Sequence, residues 1–289
     1  MAKFLKKHLS TIIVYVILLI GLCLLLYPSV SDWWNSLHQS RAITSYVEAV
    51  EDMNGEAMEA MLEDARTYNS KLSDGGSINF MLSEEEEMEY EALLDISGMG
   101  IMGYIQIPKI NVSLPIYHGT NESVLQIAVG HIAGTSLPVG GESTHSVLSG
   151  HRGLPSARLF TDLDQMQEGD IFIITVLSHT LTYEVDQIRI VDPDDTSELQ
   201  IITGEDYCTL VTCTPYGINT HRMLVRGKRI ENLAEALVVS AEAVRIPSYL
   251  VIPAVGIPIV FVLLLILLIY YSHRKPSKTQ EEWLKELKK

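Results

Sequence analysis

An all-β barrel or sandwich, preceded by helices, is the fold class this sequence predicts, with an apolar segment near each end. Three observations carry that reading. About eight short β-branched runs, separated by turn signals, occupy about 130 residues from Gly98 onward. Before Gly98, apolar residues recur at helical spacing instead. Two stretches without a charge, residues 11–27 and about 249–271, stand near the ends of the 289-residue chain. A helix that spans a bilayer takes ~20 apolar residues, so the second is long enough and the first sits at the short limit.

In chain order, residues 1–10 form a basic tail and residues 11–28 a transmembrane anchor or uncleaved signal. Residues 248–271 form a second transmembrane helix and residues 272–289 a second basic tail. Lys3, Lys6 and Lys7 precede the first segment, and Arg274, Lys275 and Lys278 follow the second. Basic flanks stay inside, so both termini are expected in the cytoplasm and the intervening region outside the cell. Ser29 and Ser31 are small enough to mark a signal-cleavage site, which is the rival to a retained first anchor.

Charge agrees with export of the middle. Of 21 Lys and Arg, 9 lie in the two tails, against 3 of the 36 acids, which leaves 12 bases and 33 acids between them, a net of −21. So acidic a surface excludes nucleic acid and anionic lipid surfaces as partners of this region and serves solubility.

Residues 29–97 read as a helical region. Ile43, Tyr46, Val47, Val50 and Met53 share one face, Asn54-Gly55 interrupts, and Met58, Met61, Leu62, Ala65 and Tyr68 resume the pattern. The run Glu84-Glu85-Glu86-Glu87 is a solvated helical face or a mobile segment, with calcium binding the alternative. Residues 98–231 carry the strands, and residues 232–247 include a short amphipathic helix leading to the second anchor.

Cysteine is sparse. Cys23 lies in the first apolar segment, and only Cys208 and Cys213 lie between the anchors. They share one β-branched run, in which five residues span ~16 Å and an odd separation puts them on opposite faces. A disulfide needs Cα atoms within about 7 Å, so at least one exported thiol is free and asks for a reason. Cys213 ends the strand, and Thr214-Pro215-Tyr216-Gly217 follows as a turn. It is either a small buried hydrophobe or a rigidly held, accessible nucleophile.

The turn folds the next strand back, bringing His221 and Arg222 near Cys213. Because strand side chains alternate, one of the two shares its face. A cation there would favour the thiolate and later an oxyanion. A thiol transferase also needs a proton partner. His118, His131, His145, His151, His179 and His221 all lie between the anchors. His151 stands out between Gly150 and Gly153 at a strand end, but spacing alone leaves it level with His221.

Motifs add what spacing does not. Thr209-Leu210-Val211-Thr212-Cys213-Thr214-Pro215, with His221-Arg222 downstream, resembles the Thr-Leu-x-Thr-Cys…Arg signature of sortases. Ser149-Gly150-His151-Arg152-Gly153-Leu154-Pro155 resembles the histidine loop of their class C, pilus-assembly branch, and residues 103–110 and 114–120 also match it. The resemblance implies an eight-stranded sortase β-barrel. It also implies Cys213 as nucleophile, His151 as its proton partner and Arg222 as the residue that holds the substrate carbonyl. The substrate would be an LPXTG-type sorting signal of a pilin subunit, cut between Thr and Gly and joined to a lysine of the next pilin. No cofactor or metal is implied, since the thioester conserves the energy of the broken peptide bond. The place of work would be the outer face of a Gram-positive cell membrane.

The class C branch carries a lid with an Asp-Pro-aromatic tripeptide, and this sequence has none: its one Asp-Pro is Asp192-Pro193. Residues 78–82 stand in the lid's place: either Phe80 is the plug, and a lid that lacks the aspartate should open more readily, or there is no lid. Two alternatives remain: a sortase that attaches surface proteins to peptidoglycan, and a membrane-tethered β-domain that binds a surface protein without catalysis.

Overall fold

The computed structural model describes residues 2–75, 78–96, 98–232 and 261–262. The chain divides into two compact units, Met1–Arg245 and Ile246–Lys289. The expected juxtamembrane helix, second transmembrane helix and second basic tail lie outside the described residues, apart from helical residues 261 and 262.

Three helices precede the barrel: α1 (Ala2–Glu51), α2 (Gly55–Gly75) and α3 (Glu84–Ala92). The first runs unbroken through Pro28, joining the apolar segment and the first expected helix of the helical region into one element. From Ile13 it is long and apolar enough to cross a membrane, and it is the one helix among the described residues that is. Helix α3 begins with a capping box: Ser83 accepts from the Glu86 amide and the Glu86 carboxylate accepts from the Ser83 amide. The four glutamates therefore form its first turn, where the helix dipole favours negative charge. Among the described residues no cluster suited to a metal ion occurs.

Eight strands follow: β1 (Ile101–Ile107), β2 (Val112–His118), β3 (Val129–His131), β4 (Thr144–Ser149), β5 (Ile171–Val176), β6 (His179–Val191), β7 (Asp206–Thr214) and β8 (His221–Ile230), with a short helix α4 (Glu122–Leu125) between β2 and β3. They close into a barrel in the order β1-β2-β3-β4-β7-β8-β6-β5, which decides between the barrel and the sandwich. Pairings β2–β3 and β4–β7 are parallel, and the other six are antiparallel.

The barrel interior is filled by Ile105, Ile107, Ile116, Phe172, Tyr183 and Val225, among others, all fully buried. Each preceding helix is also fastened to the barrel by a buried polar anchor. On α1 the Tyr46 hydroxyl donates to Met102 O at 3.0 Å and accepts from Leu177 N at 2.7 Å. On α2 the Asn69 amide makes a two-way bond with the Leu137 backbone, at 3.0 and 2.7 Å. On α3 the Tyr90 hydroxyl lies 2.9 Å from His131 Nδ1 and accepts from the Gly119 amide at 3.0 Å. Buried polar groups this well satisfied favour one docking geometry, because any shift leaves an unpaired group away from water.

Candidate active site at the mouth of strands β4, β7 and β8

Strand β7 has two unlike faces. Cys208 and Leu210 belong to the main core, whereas Val211 belongs to a second, smaller apolar cluster with Val147, Leu199 and Leu224. Alternation puts Cys213 on the face of Val211 and away from Cys208. Both thiols are free; Cys208 is fully buried, and Cys213 is partly exposed at the open end of its strand. Burial first, and then the Asp206 charge, push the Cys208 thiol far up, so it is inert packing.

Two strand pairings place the other candidates. In the antiparallel β7–β8 pair, Cys213 is directly opposite Arg222 and Thr214 is opposite His221. Arg222 therefore shares the face of Cys213, and His221 takes the other face, 3.6 Å from Asp192. In the parallel β4–β7 pair, Ser149 is level with Val211, and the pairing continues as Gly150 N–H donates to Val211 O at 3.0 Å. Extending that register by two residues sets His151 level with Cys213. Thr212 Oγ1 donates to Gly150 O at 2.7 Å, and Phe160 N–H donates to His151 O at 3.1 Å, so the histidine's backbone is held on both sides. By that extended register, residues 151, 213 and 222 come to one level on three neighbouring segments of the chain.

The remaining candidate histidines are occupied elsewhere. His118 Nδ1 and Nε2 lie 3.0 and 2.6 Å from the carbonyl oxygens of Gly100 and Leu93. His131 is fully enclosed between Tyr90 and the Ser136 carbonyl, and burial lowers its pKa to about 4. His145 bridges Gln200 O and Thr209 Oγ1, at 2.9 and 2.7 Å, and burial lowers its pKa too. His179 starts β6, at the end of that strand opposite Val191, which is the residue that pairs with Arg222.

Several neighbours of the site left no signal in the spacing. Glu122 Oε2, at the start of α4, lies 3.7 Å from His151 Nε2. The Gln126 amide first, and the His151 ring next, hold the Glu122 carboxyl below its usual range. Arg152 is largely buried in an ion pair with Asp164, and its guanidinium lies 5.8 Å from the centre of the Tyr216 ring. Tyr216 belongs to the turn after Cys213, so this contact joins the loop of His151 to the turn that follows Cys213. Gly153, at φ +77°, lets the two meet: a Cβ there would stand 3.0 Å from the Tyr216 ring. Tyr216, immediately past the Thr-Cys-Thr-Pro run, was the member of this group that the sequence could have flagged.

The segment that stands in the lid's place lies against the site's own face. Ile78 packs on the small cluster of Val147, Leu199, Val211 and Leu224. Asn79 is pressed against Gly134, where a Cβ would stand 1.9 Å from Asn79 O. Phe80 is 39% exposed. The apolar contact is thus made by Ile78, two residues before the aromatic that the sequence singled out.

A partly exposed thiol at a strand end, level with an imidazole and a guanidinium, has the parts for thiol-based acyl transfer: nucleophile, proton partner and oxyanion donor. Comparison with known proteins gives the family. A Sortase domain model matches residues 105–230. Sortase C1 from Streptococcus agalactiae is 52% identical in sequence and superposes with a TM-score of 0.65, over 67% of this chain and 100% of that one. A Streptococcus pneumoniae sortase C, whose structure was described as bearing on catalysis and pilin substrate specificity, is 43% identical at a TM-score of 0.59, over 67% of this chain and 98% of that one. Sortase D of Bacillus subtilis (strain 168) is 34% identical over 131 residues, 44% of this chain and 63% of that protein. The chain therefore spans less than two thirds of that relative's length. The chain belongs to the sortase family.

Proposed function

We propose that this chain is a membrane-anchored class C transpeptidase that joins pilin subunits, with Cys213 as nucleophile, His151 as proton partner and Arg222 as oxyanion donor. The observation that carries the reading is the pairing of Cys213 with Arg222, together with the β4–β7 register, which when extended by two residues brings residue 151 level with them. Support for the class comes from the two solved neighbours named above, both sortases C, one of them described in terms of pilin substrates.

The chemistry runs in two halves. The Cys213 thiolate adds to the Thr carbonyl carbon of an LPXTG-type signal, and the Arg222 guanidinium receives the charge that develops on the oxygen. The Thr–Gly bond breaks, the glycine amine leaves with a proton from the His151 imidazolium, and a thioester remains on Cys213. A lysine amine of the next pilin then adds to the thioester carbonyl and gives up a proton to His151. The Cys213 thiolate leaves, and an isopeptide bond has formed. No nucleotide or metal is needed, because the bond broken and the bond made are close in energy.

In this reading α1 crosses the membrane, Lys3, Lys6 and Lys7 hold the N-terminus in the cytoplasm, and the barrel works on the outer face. A second span with a cytoplasmic C-terminus completes the topology.

The test is to incubate the full chain in detergent micelles with an LPXTG peptide and examine it by mass spectrometry. An acyl adduct that maps to Cys213, absent in Cys213→Ala and not formed by His151→Ala, is the expected result. Lysine-dependent release as an isopeptide completes it. Wild-type protein without an adduct, or an unchanged adduct in Cys213→Ala, sinks the assignment.

A further inference from the structure

We propose that Glu122 is a positioning residue for His151. Its carboxylate holds one edge of the imidazole, favours the imidazolium, and leaves the other ring nitrogen for the thiol and the leaving amine. The proposal rests on the transpeptidase reading and names a residue that the nucleophile, imidazole and guanidinium set does not include.

The argument starts from what holds His151. Its backbone is fixed by Val211, Thr212 and Phe160, as described above, but none of these bonds orients the ring. The ring's one ionic contact among the described residues is Glu122, with Oε2 at 3.7 Å from Nε2. Glu122 is itself held in place. It opens α4, whose N-cap Asn121 accepts from the Val124 amide at 3.0 Å, and Ser123 Oγ donates to the same Asn121 oxygen at 2.5 Å. Its other oxygen, Oε1, accepts from Gln126 Nε2 at 2.9 Å, one helical turn on. Gln126 thus engages one carboxylate oxygen and leaves the second toward the histidine. The far end of this turn is secured too, since Gln39 of α1 donates to Ile127 O at 2.7 Å.

The chemistry gives the contact a direction. A neutral imidazole has one N–H and an imidazolium has two, so a carboxylate at one nitrogen favours the form that can still donate from the other. That is the form needed when the glycine amine leaves. By strand register Cys213 on β7 and Arg222 on β8 stand level with residue 151, and the next residue along the chain is Arg152, whose charge is met by Asp164. Glu122 is the one carboxylate among the described residues that pairs with the His151 ring. It is also solvent-exposed, at 71%, so its influence must be modest and screened by salt.

Two measurements on the full chain in micelles test this. The first is the pH profile of peptide cleavage for wild type and Glu122→Gln at low salt and at about 1 M salt, where the Debye length falls to about 3 Å. The alkaline limb should move down by about 0.2–0.7 pH unit in Glu122→Gln, the range an exposed ion pair allows. On that limb kcat should fall by about two- to fivefold with KM little changed. High salt should carry the wild type toward the variant and leave the variant where it is. Glu122→Asp, which keeps the charge, should recover part of the shift. The second is the titration of the His151 ring followed by NMR, which should show the same downward shift without any turnover. Profiles and titrations that superimpose for wild type and Glu122→Gln overturn the proposal, as does an equal loss in the Gln and Asp variants with an unmoved limb. A chain that never cleaves the peptide defeats the transpeptidase reading instead, and the NMR shift still decides the role of Glu122.

Discussion

Cys213 on β7 and Arg222 on β8 are directly opposed partners in an antiparallel pair, so their side chains leave the sheet on the same side. The Arg222 guanidinium is otherwise only loosely engaged, with Nη1 at 3.2 and 3.4 Å from the carbonyl oxygens of His221 and Asn219. If Cys213 is the nucleophile, as proposed, a fork so loosely held beside it suits a developing oxyanion. Arg222→Lys should therefore lower kcat/KM by about a hundredfold, the usual loss for one oxyanion donor, since a compact ammonium does not reproduce the fork. The thermal midpoint should hold. Turnover near wild type in that variant would demote Arg222 to a structural cation.

The joint between the two catalytic loops predicts a second loss. Gly153 stands at φ +77° with the Tyr216 ring against it. Gly153→Ala brings a left-handed conformation that costs an L-residue about 1–2 kcal/mol, as well as the ring contact. Stability should fall by about that amount, and activity should fall as the loop is pushed off the Tyr216 ring. Tyr216→Ala in the same chain should restore part of it, a coupling that a double-mutant cycle of kcat/KM reads directly. Strict additivity would show that the ring and the glycine act separately.

Residues 78–82 should restrain access to Cys213 through Ile78. Removing its side chain, Ile78→Ala, should raise the rate of Cys213 alkylation several-fold, whereas Phe80→Ala should change it little. Gly134→Ala should act like Ile78→Ala, because the new Cβ would collide with Asn79 O and displace the segment. Slower alkylation in Ile78→Ala, or a large effect confined to Phe80→Ala, would return the plug to the aromatic.

The enclosed His131 makes stability depend on pH. Burial lowers its pKa from 6.5 to about 4. Above pH 6.5 both the folded and the unfolded chain keep the ring neutral, and its full contribution is present. As pH falls from 6.5 toward about 4, the unfolded chain takes up a proton that the folded one refuses, and stability drops by roughly 3 kcal/mol. His145, lowered for the same reason, adds to the slope. Urea midpoints across this window should show the loss, and His131→Gln should flatten much of it while starting from a lower value at neutral pH.

The strands were readable because each is a short β-branched run bounded by a turn, and alternation along β7 put Cys208 and Cys213 on opposite faces before any coordinates. Alternation also allowed only one of His221 and Arg222 beside the thiol, and the pairing of Cys213 with Arg222 decides which. What stayed hidden depends on pairing between distant segments. Nothing local in Ser149 says that it lies beside Val211, since a parallel pair leaves no turn to read. That pairing is what separates His151 from His221. Glu122 was unreadable for the same reason, being remote in sequence from the histidine it faces. Pro28 reads as a helix boundary because its ring lacks an N–H, yet α1 passes through it; tertiary support further along, such as Tyr46, outweighs one missing bond. Phe80 attracted notice as the aromatic, while the packed residue is the β-branched Ile78.

Helix α1 touches the rim of the site as well as the barrel wall. Asp32 Oδ1 accepts from Arg158 N, Asn35 donates to Ser156 O, and Gln39 donates to Ile127 O. Asp32 follows the end of the apolar stretch at Tyr27 by five residues, about 8 Å of helix at 1.5 Å per residue. With the apolar stretch in a bilayer, the histidine loop is bolted to a stiff post rather than hung from a tether. The catalytic mouth then keeps a set height and heading above the lipid, and any tilt of the post turns the mouth with it. In the proposed reaction, the search for the second subunit would then fall to the incoming chain, because these contacts tie the loop to the helix.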